Sequence, residues 1–313
     1  MKSKMQKTTD GIILVDKPCN MTSHDVVNVL RSKFQTKKVG HSGTLDPFAS
    51  GLIIAGIGKG TRVLEYFLNM DKTYRAELEL GRITDTFDLT GKLVEEREVP
   101  AFSLEEISGV LKSFIGKQLQ TPPAYSAKKH NGERLYKLAR EGNIINLPPS
   151  RVQIYSIDEI SFEGRKISFK TRVSKGTYIR SLVMDIGYRL GCGATTTYLR
   201  RTAQGPFSLD SSSQLGEVSD LSIITLEEAI DFMPGLLLNE QESQRVLLGG
   251  QVHARNVVGI LGSFVKDEII RILGNDEKLL AVARSERTSS FVKTLQREES
   301  WERVAKLEKV LGA

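Results

Sequence analysis

Apolar and polar positions recur with two different periods along this 313-residue chain, and the switches between the periods outline its elements. Gly11 to Val15 is short and apolar, as a buried strand is, and Asp16-Lys17-Pro18 stops it. Thr22 or Ser23 then caps a helix in which Val26, Val27, Leu30 and Phe34 recur at helical spacing. Thr61 to Leu68 reads as a second helix. Lys72 to Leu80 alternates like a strand up to Gly81, and Lys92 to Val94 returns after the turn Asp88-Leu89-Thr90-Gly91. Ser103 and Glu106 form a capping box ahead of Leu104, Ile107, Val110, Leu111 and Phe114, with Gly116 as the stop. Arg151 to Ile160 and Arg165 to Val173 are strands. In the second, Ile167, Phe169, Thr171 and Val173 face a core while Lys166, Ser168, Lys170 and Arg172 stay wet. A helix follows with Ile179, Leu182, Val183, Ile186 and Leu190 inward, and Gly191 ends it.

Beyond Gly205 the pattern changes. A serine-rich stretch leads to a helix at Thr225 to Phe232 and then to Met233-Pro234-Gly235, which marks a domain boundary. Residues 1–235 form one domain on this reading and 236–313 another. The second shows β-like runs at Glu268 to Leu273 and Lys278 to Ala283 with glycines between, so it reads as a small all-β module ending in a polar helix or tail, Ser300 to Val310.

Composition narrows the partners more than the fold. Hydrophobic residues make up 40% and charged residues 26%, the mix of a soluble globular protein. A net charge of +6 and a pI near 9.1 favour an anionic partner such as nucleic acid. Cys19 and Cys192 are far apart, which argues against a disulfide framework or zinc module and fits a reducing cytoplasm. The histidines His24, His41, His130 and His253 have no metal-ligand spacing, so no metal is expected. The longest apolar run, Leu52 to Ile57, cannot span a bilayer, and the basic N-terminus leads into too few apolar residues for a signal-peptide core. Gly56 to Thr61 is glycine-rich and holds Lys59, but Gly60 stands where a phosphate-binding loop needs a hydroxyl.

The chemistry gathers around GHSGTLDPFASG, residues 40–51. Asp-Pro and Ser-Gly there are turn chemistry, yet the turn carries Asp46 into an apolar neighbourhood, where a carboxylate needs a cation or several donors. Arg180, in the first turn of a helix, sits where the helix dipole disfavours cations and an anion would be welcome. Alone, each has a structural explanation. Gln120 to about residue 150 begins with two prolines and interleaves tyrosines with lysines and arginines, a composition suited to gripping looped RNA by stacking and charge.

Taken together, GHSGTLDPFASG (40–51), KTYRAELELG (72–81), PPAYSAKKHNGERLYKLAREG (122–142), SKGTYIRSL (174–182) and LGCGATTTYLRR (190–201) resemble the TruB type of tRNA pseudouridine synthases, a family related to dyskerin. The resemblance runs over nearly the whole chain. It implies an α+β fold, with a mixed, largely antiparallel sheet flanked by helices, and a C-terminal PUA β-barrel that binds RNA. The activity it implies is isomerisation of the T-loop uridine, position 55 of tRNA, with the T stem-loop as partner and with no cofactor or metal, in a cytoplasmic monomer. Asp46 then matches the catalytic aspartate, Arg180 the arginine paired with it, and Tyr74 the tyrosine that stacks on the uracil. Tyr178 and Leu199 match pocket residues, and His41 the histidine that helps hold the nucleotide out of its stack. The reading from another class is an RNA-binding or tRNA-folding protein in which chemistry is secondary; an absent Asp46 or Arg180 would have favoured it.

Overall fold

Alternation and caps define the elements, while long-range pairing decides the order in which the strands lie. The computed structural model describes residues 10–312 other than 127, 128, 131, 136, 137, 139, 140, 144 and 146. The chain divides into two compact units. One holds Ile13–Ala55 and Leu64–Ser222; the other takes in Gly56–Val63 and Ile223–Ala313 with the segment that ends at Ile12.

The first unit is built on a sheet with seven principal strands: β1 (Gly11–Lys17), β2 (Ser50–Ile57), β3 (Lys72–Leu80), β4 (Gly116–Gln120), β5 (Ser150–Glu163), β6 (Lys166–Val173) and β7 (Ala194–Gln204). Their spatial order is β1-β2-β7-β3-β6-β5-β4. β3 is antiparallel to both neighbours, β5 is antiparallel to β4 and β6, and β7 runs parallel to β2. The sheet is therefore mixed and largely antiparallel, as the resemblance implied. Local pattern announced neither β4 nor β7, and in β7 the adjacent Arg200 and Arg201 break the alternation by which a strand is read.

Among the described residues, three longer helices accompany the sheet: α1 (Ser23–Lys33), α2 (Leu104–Lys112) and α3 (Ile179–Arg189). Thr22 caps α1 and Ser103 caps α2, each in a reciprocal box with the acidic residue three positions on. α2 packs on β5 and α3 on β7. Leu182, Val183 and Ile186 of α3 are fully buried, each contributing about 1.5 to 3 kcal/mol of apolar transfer. The helix expected at Thr61 to Leu68 is instead a 3₁₀ turn at Gly58–Arg62 followed by a short α-helix at Leu64–Leu68. Packing accounts for its glycines, since a Cβ on Gly60 would run into the backbone of Gly11. Lys128, Tyr136, Lys137 and Arg140 of the expected RNA-gripping insertion lie outside the described residues, and Glu133–Arg134, where the pattern predicts the start of a short basic helix running to Arg140, is instead a strand paired with Lys129–His130.

The second unit carries a six-stranded sheet of β8 (Gly235–Leu238), β9 (Val252–His253), β10 (Val257–Leu261), β11 (Ile269–Leu273), β12 (Leu279–Ser285) and β13 (Arg303–Val310), in the order β9-β13-β12-β11-β8-β10. Its core is Leu236, Leu238, Val246, Val252, Ile270, Ile272, Ala283, Val292 and Val304 among others. Two expectations fail here. The region is not all-β, because α4 (Glu240–Leu247) and α5 (Ser289–Arg297) lie within it, capped by Asn239 and Thr288. Ser300 to Val310 is not a polar helix or tail either, since its greater part is strand β13, paired with β9 and β12. A register shift beside Ala305 puts the adjacent Val304 and Ala305 both inside, which breaks the two-residue period by which a strand is read. The helix expected at Thr225 to Phe232 shortens to Leu226–Ala229.

One glycine fixes the junction of β2 with β7. Gly51 has φ +104, and a Cβ there would strike the backbone of Arg201, its register partner. Gly51→Ala should lower stability by about 3 kcal/mol, from backbone strain and strand displacement together. Gly109 in α2 has open space around it, so Gly109→Ala should raise stability by about 0.5 to 1 kcal/mol. Urea midpoints of the two variants check the contrast, and equal effects would contradict it.

Candidate active site

The Asp46 loop is held in place largely by side chains bonded to its backbone. Ser23 Oγ accepts from the Leu45 N–H at 2.8 Å and donates to the Leu45 carbonyl at 3.2 Å, tying the loop to the start of α1. Lys17 Nζ, at the end of β1, donates to the carbonyls of Pro18, Met21 and Pro47. On the far side Arg201 donates to the carbonyls of Leu52 and Gly43, while Gln204 donates to those of Ser42 and Phe67. The Ala49 N–H closes the turn on the Asp46 carbonyl at 3.1 Å. The loop is thus clamped from β1, α1 and β7, and the Asp46 carboxylate is left to point inward.

Arg180 meets it. Its side chain is 3% exposed, and it pairs with Asp46 through two bonds, Nε to Oδ2 at 2.9 Å and Nη2 to Oδ1 at 3.1 Å, across 134 residues of sequence. This fork-to-fork geometry is the strong form of a charge-assisted pair. The remaining donors go to the Thr86 carbonyl at 2.7 Å and the Tyr125 carbonyl at 2.9 Å, and Asp88 Oδ2 lies 3.5 Å from Nη1. Asp88 is itself oriented by Thr86 and Thr90, whose hydroxyls donate to its Oδ1. The first turn of α3 is fixed by Gln120 at the end of β4: its amide accepts from the Tyr178 N–H at 2.7 Å and donates to the Tyr178 carbonyl at 3.1 Å. That double bond replaces the side-chain cap which Tyr178 cannot provide.

Two cavities share this ion pair. One, of ≈ 250 Å³, is lined by Tyr74, Tyr178 and Leu199 as well as Asp46 and Arg180. Tyr74 lies opposite Arg201 on β7, two places along from the pair Ala76 and Leu199, so Tyr74, Leu199 and Arg201 share one face of the sheet. Asp46 is the one carboxylate among this cavity's lining residues, against Lys72, Arg180 and Arg201. The other cavity, of ≈ 640 Å³, adds His41, Asp88 and Tyr125. His41 Nδ1 accepts from the Gly43 N–H at 3.3 Å, which turns the ring along the loop. All six residues singled out from the sequence therefore border one of two cavities that meet at Asp46. Burial pushes the Tyr178 hydroxyl above its ordinary pKa, and burial lowers Lys72 to about 8. Among the described residues no group of histidine, cysteine and acidic side chains is arranged to hold a metal ion.

Residues 31–179 match the TruB family pseudouridylate synthase (N terminal domain), and residues 180–238 match the tRNA pseudouridylate synthase B C-terminal domain. A Thermotoga petrophila protein named tRNA pseudouridine synthase B is 49% identical over 306 residues, which covers 96% of this chain and 98% of that protein. The chain belongs to the TruB family of pseudouridylate synthases. Among solved structures, a chain of a Cbf5–Nop10–Gar1 complex is 26% identical, with a TM-score of 0.76 over 100% of this chain and 88% of its own. A chain from an H/ACA ribonucleoprotein bound to a substrate RNA containing 2′-deoxyuridine shares the fold at a TM-score of 0.77, with 24% identity and coverage of 100% and 88%.

Membership of the TruB family does not by itself reveal the supporting residues that the sequence reading missed. On sequence alone Asp88 reads as turn chemistry, Lys17 as part of the stop after a strand, and Gln120 as the start of an insertion. One signal was available for Asp88: a guanidinium has five N–H donors and one carboxylate takes two, so a buried Arg180 needed further acceptors. For Lys17 and Gln120 there was none, because their partners are backbone carbonyls and amides, which every residue carries.

Lys17 gives a pH signature. Burial lowers its pKa from 10.5 to about 8, only partly offset by the negative groups near it, Asp46 among them. Between those two values the unfolded chain binds more protons at this residue than the folded one, so its contribution to stability increases as pH rises through the window. The stability difference between wild type and Lys17→Met should therefore shift in favour of wild type from pH 7.5 to pH 10. Urea unfolding at both values measures it, and a pH-independent difference would contradict the assignment.

Proposed function

We propose that this protein converts the T-loop uridine at position 55 of tRNA to pseudouridine, with Asp46 as its catalytic residue. The observation that carries the reading is the bidentate Asp46–Arg180 pair where a tyrosine-lined cavity meets a wider groove. In the reaction the C1′–N1 bond breaks, a C1′–C5 bond forms, and the C5 proton leaves as N1 gains one. Atoms and oxidation state are conserved, so the step calls for positioning and charge rather than an exchanged group. Asp46 acts on the nucleotide either as a nucleophile or as the base that starts an elimination.

Each neighbour has a part. Arg180 holds the carboxylate at a fixed angle, and removing a partner from a buried pair costs about 3 to 5 kcal/mol. Tyr74 and Tyr178 provide aromatic surface for the uracil, Leu199 keeps water from it, and the cations Lys72 and Arg201 favour negative charge on the base as it detaches. The base must leave its stack to reach this cavity, and His41, on the wider groove, is suited to keep the rest of the loop open behind it. Residues 1–235 make up the catalytic domain, with the segment at about 120–150 as an RNA-gripping insertion. Residues 236–313 form a PUA-type module, a small β-barrel that adds to tRNA binding. The protein works as a cytoplasmic monomer on the T stem-loop.

Asp46→Asn should abolish release of tritium from 5-tritiated uridine in a T stem-loop RNA while RNA binding, followed by filter retention, persists. Turnover retained in that variant would remove Asp46 from the chemistry. If the wild-type protein binds and folds tRNA but releases no tritium, the reading as an RNA-folding protein takes its place. Arg180→Ala should lower the single-turnover rate on the order of a hundredfold or more with binding little changed, and a rate equal to wild type would contradict the role of the pair.

A further inference from the structure

The tyrosine-lined cavity has an apolar rim that plays no part in the mechanism above. Among the described residues that border the cavity, Leu45, Tyr74, Val173, Ile179 and Leu199 are buried, whereas Leu68 is 45% exposed. A single exposed leucine on a protein surface is ordinary. Leu68 differs in its place, at the open side of a cavity that also holds Asp46 and Arg180, and in how firmly its backbone is held.

Leu68 ends the short helix Leu64–Leu68, in which the neighbouring Phe67 is fully buried with its ring edge-on to Phe207 at 5.2 Å. Each residue from Phe67 to Asp71 is then tied by a polar bond. Gln204 Nε2 donates to the Phe67 carbonyl at 2.8 Å, and the buried Lys72 donates from Nζ to the carbonyls of Leu68 at 2.7 Å and Met70 at 2.6 Å. Lys175 Nζ donates to Asn69 Oδ1 at 2.9 Å, Arg172 Nη2 to Asp71 Oδ2 at 2.9 Å, and the Gly205 N–H to the Asp71 carbonyl at 3.0 Å. Surface connections are usually mobile, with much of their backbone left to water. This one is clamped from the ends of β3, β6 and β7, so the Leu68 side chain is a fixed wall rather than a moving flap.

The reaction gives such a wall a task. Between the breaking of C1′–N1 and the forming of C1′–C5 the uracil has no covalent bond to the RNA and must turn in place, so loss to water competes with reattachment. We infer that Leu68 retains the detached base, packing against the uracil at the open side of the cavity and keeping water from C1′. Its removal opens a second outcome. Overall, the C1′–N1 bond breaks, the oxygen of a water molecule bonds to C1′, one proton of that water stays on the new hydroxyl and the other goes to N1 of the departing uracil. The RNA keeps an abasic residue and free uracil is released. The inference rests on the isomerisation reading, but not on which uridine of tRNA is modified or on the route that Asp46 takes.

A tRNA transcript with radiocarbon in its uracil rings separates the two outcomes, because pseudouridine stays in the polymer while free uracil becomes soluble in acid. Leu68→Ala should raise the ratio of released uracil to pseudouridine formed on the order of tenfold or more, the scale of one lost leucine-sized apolar contact. Leu68→Gln, which keeps the length of the side chain but attracts water, should leak as well, and Leu68→Met should return the ratio to near that of wild type. Aniline treatment of the recovered RNA should cut the strand in proportion to the uracil released. A merely structural role would slow pseudouridine formation and leave the ratio unchanged. That result in Leu68→Ala and Leu68→Gln, or loss of turnover without free uracil, overturns the inference while pseudouridine formed by the wild type upholds the isomerase reading. A wild type that forms no pseudouridine overturns both.

Discussion

Everything near the Asp46 carboxylate depends on finding acceptors for one buried guanidinium. Arg180 is almost wholly removed from water, so each N–H that it keeps there needs a partner. Asp46 takes two, and carbonyls from two further segments, at Thr86 and Tyr125, take others, with Asp88 close by. A single side chain thereby fixes three loops against the first turn of a helix. The arrangement explains why the Asp46 loop is so heavily pinned from other directions: a carboxylate displaced by an ångström would leave the guanidinium uncompensated, a loss of several kcal/mol.

The other buried cations of the unit follow a different rule. Lys17, Lys72 and Arg201 are satisfied chiefly by backbone carbonyls rather than carboxylates. Such bonds hold the loops in place without neutralising the charge, so the tyrosine-lined cavity keeps a positive character in which Asp46 is the lone acid. For a base that becomes electron-rich as its bond to the sugar breaks, that is a favourable setting. On the proposed reading the same residues serve structure and chemistry. The second unit reverses the signs, with a buried Glu242 surrounded by donors that set the orientation of a histidine.

Local sequence pattern determined much of this protein. The strands β3, β5 and β6 and the inward faces of α1, α2 and α3 follow from periods of two and of 3.6, because burial of one face is a local property of side-chain spacing; β1 follows from its short apolar run, and the N-cap of α1 and the capping box of α2 from residue type. The Asp46 turn could be read from Asp-Pro and its small neighbours, and the two charges that needed opposite partners, Asp46 and Arg180, could each be recognised as unsatisfied. The ordered motifs then pointed to a family, and with it to six site residues.

Tertiary structure alone decided the rest. Strand order brings β7 between β2 and β3, and with it Leu199 and Arg201 to the site; nothing in the composition of 194–204 says which strands will flank it. Lys17, Gln120 and Gln204 act through backbone groups that look the same at every position, so no pairing of residue types betrays them. In the second unit, β13 was hidden by a register shift and α5 by a short amphipathic run between charged turns, since both depend on which neighbours cover them. The physical reason is common to all of these. Local pattern records which face of an element avoids water, whereas the partner of a buried polar group is chosen by the packing that brings distant segments together.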